Sequence, residues 1–99
     1  MKEISTHELD QRLQAGEEFA MIDVREPEEV AAGMIAGAVH IPLMELPERF
    51  GELDRNREYV LICRSGGRSK MAAEFLEGQG FETVNMTGGM LEWPGETIA

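Results

Sequence analysis

Apolar residues in this chain arrive in two rhythms that alternate from one end to the other. One is a short continuous run closed by a polar or turn-forming residue. FAMIDV (Phe19 to Val24), closed by Asp23 and Arg25, is of this kind, as are AVHIP (Ala38 to Pro42), EYVLIC (Glu58 to Cys63) and FETVNM (Phe81 to Met86). Such runs suit short strands buried on both faces.

The other rhythm is helical. Leu9 and Leu13 form an i, i+4 pair behind Ser5 and Glu8, which resemble a capping box, so a helix is expected from about Thr6 to Ala15 with Gly16 ending it. Pro27, Glu28 and Glu29 open a short helix with acids in its first turn, where the helix dipole favours them, and Gly33 stops it. Leu43, Leu46 and Phe50 predict a helix lying over the sheet. Met71, Ala72, Phe75 and Leu76 predict another, from Arg68 or Ser69 to about Gln79, with Gly80 as its stop. Gly88 to Trp93 reads as a short final helix ended by Pro94.

Strands alternating with helices imply an α/β fold whose parallel sheet is covered on both faces and binds ligands beyond the carboxyl ends of its strands. No repeat, low-complexity tract or linker interrupts the pattern, and 99 residues suffice for one core and no more, so residues 1–99 are read as a single domain.

Composition narrows the function. A lone cysteine, Cys63, excludes an intramolecular disulfide, and no stretch has the length of a signal peptide's apolar region or of a membrane span. The expected location is cytoplasmic. Nineteen acidic against nine basic residues give a formal charge of -10, which repels nucleic acid and anionic membranes, so neither is expected as a partner. Against that background Arg64, Arg68 and Lys70 fall within eight acid-free positions that begin at Cys63.

A strand ending at Cys63 and a helix starting a few residues later place the thiol where an anion is favoured. Free helix N–H groups, the positive end of the dipole and the backbone of Gly66 and Gly67 form a cradle, and a thiol there loses its proton more readily than free cysteine. Simpler readings exist for each part: Cys63 as a small buried hydrophobe, the glycines as an ordinary turn, Arg68 as a solvated charge. Their conjunction favours chemistry. Cysteine-dependent phosphatases and arsenate reductases use a similar loop, but the phosphatase signature places five residues between cysteine and arginine. Here Arg68 follows Cys63 after four, with Ser69 one position later. The shorter loop makes a tighter ring, better suited to one additional sulfur than to a tetrahedral phosphoryl group, and no acidic general acid follows the loop closely.

Three segments resemble the signatures of the rhodanese-like sulfurtransferases: CRSGGRS (Cys63 to Ser69), IDVREPEEVAAGMIAGAVHIP (Ile22 to Pro42) and GGMLEW (Gly88 to Trp93). The resemblance covers nearly the whole chain in the expected order. It implies a rhodanese-like three-layer fold, a five-stranded parallel sheet with helices on both faces. It implies a thiosulfate sulfurtransferase in which Cys63 takes a sulfane sulfur from thiosulfate or a persulfide donor and passes it to cyanide or a thiol, with a sulfur-relay protein among the possible partners. The substrate-binding residues it implies are Arg64, Ser65, Gly66, Gly67, Arg68 and Ser69, whose amides hold the persulfide while Arg64 and Arg68 attract the anionic donor. Asp23 and Arg25 match the family's Asp-x-Arg and are expected to tie a strand end to neighbouring loops, with Arg25 also able to face the site. No metal and no organic cofactor is expected. His7 and His40 lie at no metal-ligand spacing, Met90 and Trp93 are assigned to packing, and most of the seven methionines to core filling or an adaptable docking surface. One departure is visible: the family's Gly-His-Ile is Gly33-Met34-Ile35 here. A non-catalytic binding module of the same fold is the remaining alternative.

Overall fold

The structure, a computed structural model, describes residues 1–99. In chain order the elements are β1 (Lys2–Ser5), α1 (Thr6–Gln14), β2 (Ala20–Asp23), α2 (Pro27–Ala31), β3 (Val39–His40), α3 (Leu46–Arg49), β4 (Glu58–Ile62), α4 (Gly67–Gly78) and β5 (Glu82–Thr87). The five strands form one parallel sheet in the order β1-β5-β4-β2-β3, so β4 lies at its centre.

Side chains alternate across this sheet with the two-residue period of a strand, and the alternation divides the core. Ile22 and Val24 of β2 and its exit, with Tyr59, Leu61 and Cys63 of β4 and its exit, point to one face. They pack there against Ala72, Ala73 and Leu76 of α4, with Leu46 and Phe81. Met21, Val60, Ile62, Val84 and Met86 point to the opposite face and meet Ile4, Leu9 and Ile35. On the α4 face the rings of Phe50 and Phe75 meet edge to face, 5.6 Å between centroids.

The helices start and stop largely for the reasons the sequence suggests. Ser5 caps α1, its hydroxyl accepting from the Glu8 amide at 3.1 Å, and Gly16 leaves the helix at φ +91°. Glu26 and Glu29 form a reciprocal capping box on α2, with Pro27 at its first position. α4 begins at Gly67, slightly earlier than its apolar spacing predicts, because Gly66 at φ +104° serves as its N-cap. Two expectations need correction. The helix predicted through Leu43, Leu46 and Phe50 is three short pieces: 3-10 turns at Leu43–Glu45 and Phe50–Glu52 flank the four-residue α3. Pro47 is responsible, since a continuous helix would need its missing N–H to bond Leu43. The final helix is a single 3-10 turn, Met90–Glu92. Of the methionines only Met21 and Met86 are buried; Met1, Met44 and Met71 are exposed.

Candidate active site

The central strand delivers Cys63 to the carboxyl edge of the sheet, on the face covered by α4. The chain then turns through Arg64–Gly66 into the N-terminus of α4, so that the loop closes over the sulfur. The Gly66 amide donates to Cys63 Sγ at 2.9 Å, and Ser69 Oγ lies 3.2 Å from it. Cys63 itself has no exposed surface.

What turns the loop amides inward is visible on its outer side. The carbonyls of Cys63 and Arg64 accept from the amides of Met90 and Leu91, at 2.8 and 3.0 Å. With these carbonyls held by the turn after β5, the following amides are free to face the sulfur. The turn reaches the loop only because Gly89, at φ +64°, has no side chain: a Cβ there would overlap the Arg64 carbonyl and the Ser65 nitrogen. The Gly88 to Trp93 segment is thus the outer wall of the cradle.

Burial alone pushes the Cys63 thiol pKa up, since a thiolate out of water is costly. The Ser69 hydroxyl and the backbone amides of Ser69, Gly66 and Ser65 act in the opposite direction and prevail, leaving the thiol more acidic than a free one. The arrangement favours the anionic form of the sulfur at a helix N-terminus.

The other loop residues divide by charge environment. Arg64 is exposed, carries no ion pair and lines a cleft of about 270 Å³ with Arg25, Glu29, Ala32, Met90 and Leu91. Arg68 instead makes a two-pronged pair with Glu29 of α2, at 2.6 and 2.8 Å, which holds the Glu29 carboxyl down to about 2. The positive patch read from the sequence is therefore partly neutralised, and the same pair fastens the loop to α2. Ser65, Gly67 and Lys70 are exposed, whereas Ser69 is buried with its hydroxyl toward the sulfur.

Asp23 and Arg25 are joined to each other at the end of β2. The buried Asp23 carboxylate accepts from the Arg25 amide and guanidinium, and Arg25 also donates to the Gly33 carbonyl at 2.8 Å, joining the end of β2 to the loop after α2. Arg25 additionally lines the cleft beside Arg64. His40 Nε2 is 2.7 Å from the Arg25 carbonyl. At the position of the departure from Gly-His-Ile, the Met34 amide and carbonyl pair with Ile98, both at 2.8 Å, so its backbone clamps the C-terminal segment.

Two residues at the site were not singled out from the sequence. Glu29 looked like a dipole-favoured acid of α2, and only the fold brings it to Arg68. Asn85 of β5 is buried beside Ser69, its Oδ1 2.5 Å from Ser69 Oγ. A signal for Asn85 was present, a polar residue inside the apolar run FETVNM.

Comparison with known proteins agrees with this geometry. Residues 5–96 match the family described as "Rhodanese-like domain". The YtwF protein of Bacillus subtilis is 55% identical over 97 residues, covering 98% of this chain and 94% of its own. A sulfurtransferase of Allochromatium vinosum is 39% identical over 94 residues, covering 94% and 88%. The crystal structure of a rhodanese-like domain protein from Staphylococcus aureus, 38% identical, superposes with a TM-score of 0.89 over 97% of this chain and 93% of that one. With this match across both its ends and a parallel five-stranded sheet carrying the cysteine loop, the chain belongs to the rhodanese-like domain family.

Proposed function

We propose that the protein is a thiosulfate sulfurtransferase that works through a persulfide on Cys63. The observation that carries this reading is the enclosure of the Cys63 sulfur by the Gly66 amide and the Ser69 hydroxyl in a ring with only four residues between Cys63 and Arg68. Such a ring stabilises a sulfur anion and suits a single added sulfur better than a phosphoryl group.

In the first half-reaction the Cys63 thiolate attacks the outer sulfur of thiosulfate, the S–S bond of the donor breaks, and sulfite leaves with the bonding pair. Cys63 then carries a persulfide whose terminal sulfur bears the negative charge, held by amides of residues 64–68 and by Ser69. In the second, cyanide or a thiolate attacks that terminal sulfur, yielding thiocyanate or a new persulfide and returning the Cys63 thiolate. Such a cycle regenerates its own nucleophile without a metal or organic cofactor and predicts ping-pong kinetics. Cys63 is covered, so the donor's approach requires the loop around it to open. Arg64 is the loop cation left to meet the donor; Arg68, held by Glu29, serves first to fix the loop. Asp23 and Arg25 brace the adjoining strand end. This reading takes residues 1–99 as one catalytic domain working in the cytoplasm, with a sulfur-relay protein as its macromolecular partner and neither nucleic acid nor membrane involved.

The test is intact-protein mass after incubation with thiosulfate, followed by cyanide and detection of thiocyanate. The wild type gains one sulfur that cyanide removes. Cys63→Ser retains the fold, gains no sulfur and forms no thiocyanate; a wild type that stays unmodified, or a serine variant that still turns over, overturns the mechanism.

A further inference from the structure

Strand alternation places Val84 and Met86 of β5 on the α1 side of the sheet, so Asn85 between them faces α4, the side on which Cys63 lies. It is 3% exposed, and its amide meets the one polar side chain that touches the sulfur, Ser69. A serine hydroxyl has a single proton. Three acceptors lie within its reach: Asn85 Oδ1 at 2.5 Å, the Gly66 carbonyl at 3.1 Å and Cys63 Sγ at 3.2 Å.

When Cys63 is a thiol, its S–H donates to Ser69 Oγ, Ser69 donates to Asn85 Oδ1, and Asn85 Nδ2 donates to the Gly66 carbonyl at 3.3 Å. Each of these three donor atoms has an acceptor. When the thiol loses its proton, the thiolate accepts only, and the charged acceptor draws the Ser69 proton toward itself. Ser69 Oγ and Asn85 Oδ1 would then be two oxygens at hydrogen-bonding distance with no proton between them. A half-turn of the amide trades this conflict for a longer one: Nδ2 takes the place of Oδ1 and donates to Ser69 Oγ across the 2.5 Å separation, while Oδ1 comes to face the Gly66 carbonyl where Nδ2 stood, at 3.3 Å. The Gly66 carbonyl gives up Nδ2 and keeps the Lys70 amide at 3.2 Å. Asparagine is suited to this because its amide presents either a donor or an acceptor in the same volume.

We propose that Asn85 is a positioning residue for the Cys63 nucleophile: by reversing its amide it turns the single Ser69 proton from itself onto the thiolate. The proposal rests on Cys63 being the nucleophile, and it acts through Ser69 without touching substrate. The charged groups at the thiol end of the surrounding elements are Arg64 in the loop, Arg68 and Lys70 at the start of α4, Glu29 of α2 and its N-cap Glu26 near Arg68, Asp23 with Arg25 at the end of β2, and Glu92 in the last turn, with Glu74 and Glu77 further along α4 and Glu28 on α2. β5 contributes Asn85 and no charge at this level. All of these stay constant in the following comparison.

Cys63 is the only cysteine, so alkylation rate against pH reads its acidity directly. In Asn85→Asp the new carboxylate accepts only and keeps the Ser69 proton. The alkylation midpoint should rise by about one pH unit or more, the size expected when a thiolate loses a hydrogen bond and gains a nearby negative charge. To separate these two causes the substitution is repeated in a Ser69→Ala background, where only the direct charge effect remains. The shift should fall to half or less there. An unchanged midpoint in Asn85→Asp, or an equal shift in both backgrounds, overturns the proposal. Should the variants not fold, the wild type still decides: the Asn85 side-chain NH2 resonances must titrate with the Cys63 midpoint, and resonances indifferent to it exclude a reversing amide. Sulfur loading is measured separately, so a protein that fails to load sulfur yet obeys this cycle refutes the proposed reaction and leaves the role of Asn85 standing.

Discussion

Gly89 occupies a position that no side chain can share with the cysteine loop. Its positive φ is one constraint, and the Arg64 carbonyl, lying where a Cβ would be, is the other. Gly16 has the first constraint without the second: its φ is +91° and no atom lies within 4 Å of its would-be Cβ. Alanine at Gly16 should therefore cost about 1 kcal/mol, the backbone penalty alone. Alanine at Gly89 should cost roughly 3 kcal/mol or more, because the turn must also withdraw from the loop. Denaturant midpoints of the two variants measure the difference, and Gly89→Ala should in addition raise the Cys63 alkylation midpoint as the loop amides lose their alignment. At this scale the geometry around Cys63 was legible in the sequence because the loop's neighbours in the chain are also its neighbours in space. Glu29 and Asn85 were opaque because their meaning comes from partners that lie 39 and 16 positions away.

The elements were most legible where local chemistry decides them. Ser5 caps α1 through one hydrogen bond to the Glu8 amide, and Ser5→Ala should lower stability by about 1 kcal/mol. A shift in urea midpoint with an unchanged slope would measure it; no shift would mean that water replaces the cap fully. The four strands read from apolar runs are present, and their alternation sets the two core faces. β1 was not identified from its residues, since KEIS contains one buried side chain, Ile4, and becomes a strand only by pairing with β5. The helix expected through Leu43, Leu46 and Phe50 fails for the opposite reason, because apolar spacing alone does not register the missing N–H of Pro47.

Across the whole molecule, charge sets the response to acid. The Arg68 guanidinium holds Glu29 at about 2, below its ordinary 4.5, so the folded state binds this proton less readily than the unfolded chain. The stability this pair contributes is complete above about pH 4.5 and is lost as the pH falls toward 2. Glu29→Gln lacks this contribution, so its stability deficit relative to the wild type should be constant near neutrality and close through that window. Thermal melts of both proteins from pH 7 downward test this, and a deficit that persists unchanged at low pH would assign it to packing instead.

The strand order β1-β5-β4-β2-β3 also has a bearing on how the chain acquires its shape. Of the five strands of this sheet β1 emerges first from the ribosome, yet its sole partner among them is β5, which emerges after the other four, with Lys2 beside Val84 and Ser5 beside Thr87. Until residues 82–87 emerge, the N-terminal strand has no edge to join, and β4 lacks its β5 neighbour. Closing so distant a pairing is entropically slow, which makes this a late step even though most of the helices can form earlier. The wall that shapes the cysteine loop comes later still, after β5, so the nascent chain carries its thiol in an unfinished cradle until synthesis of this region is nearly complete.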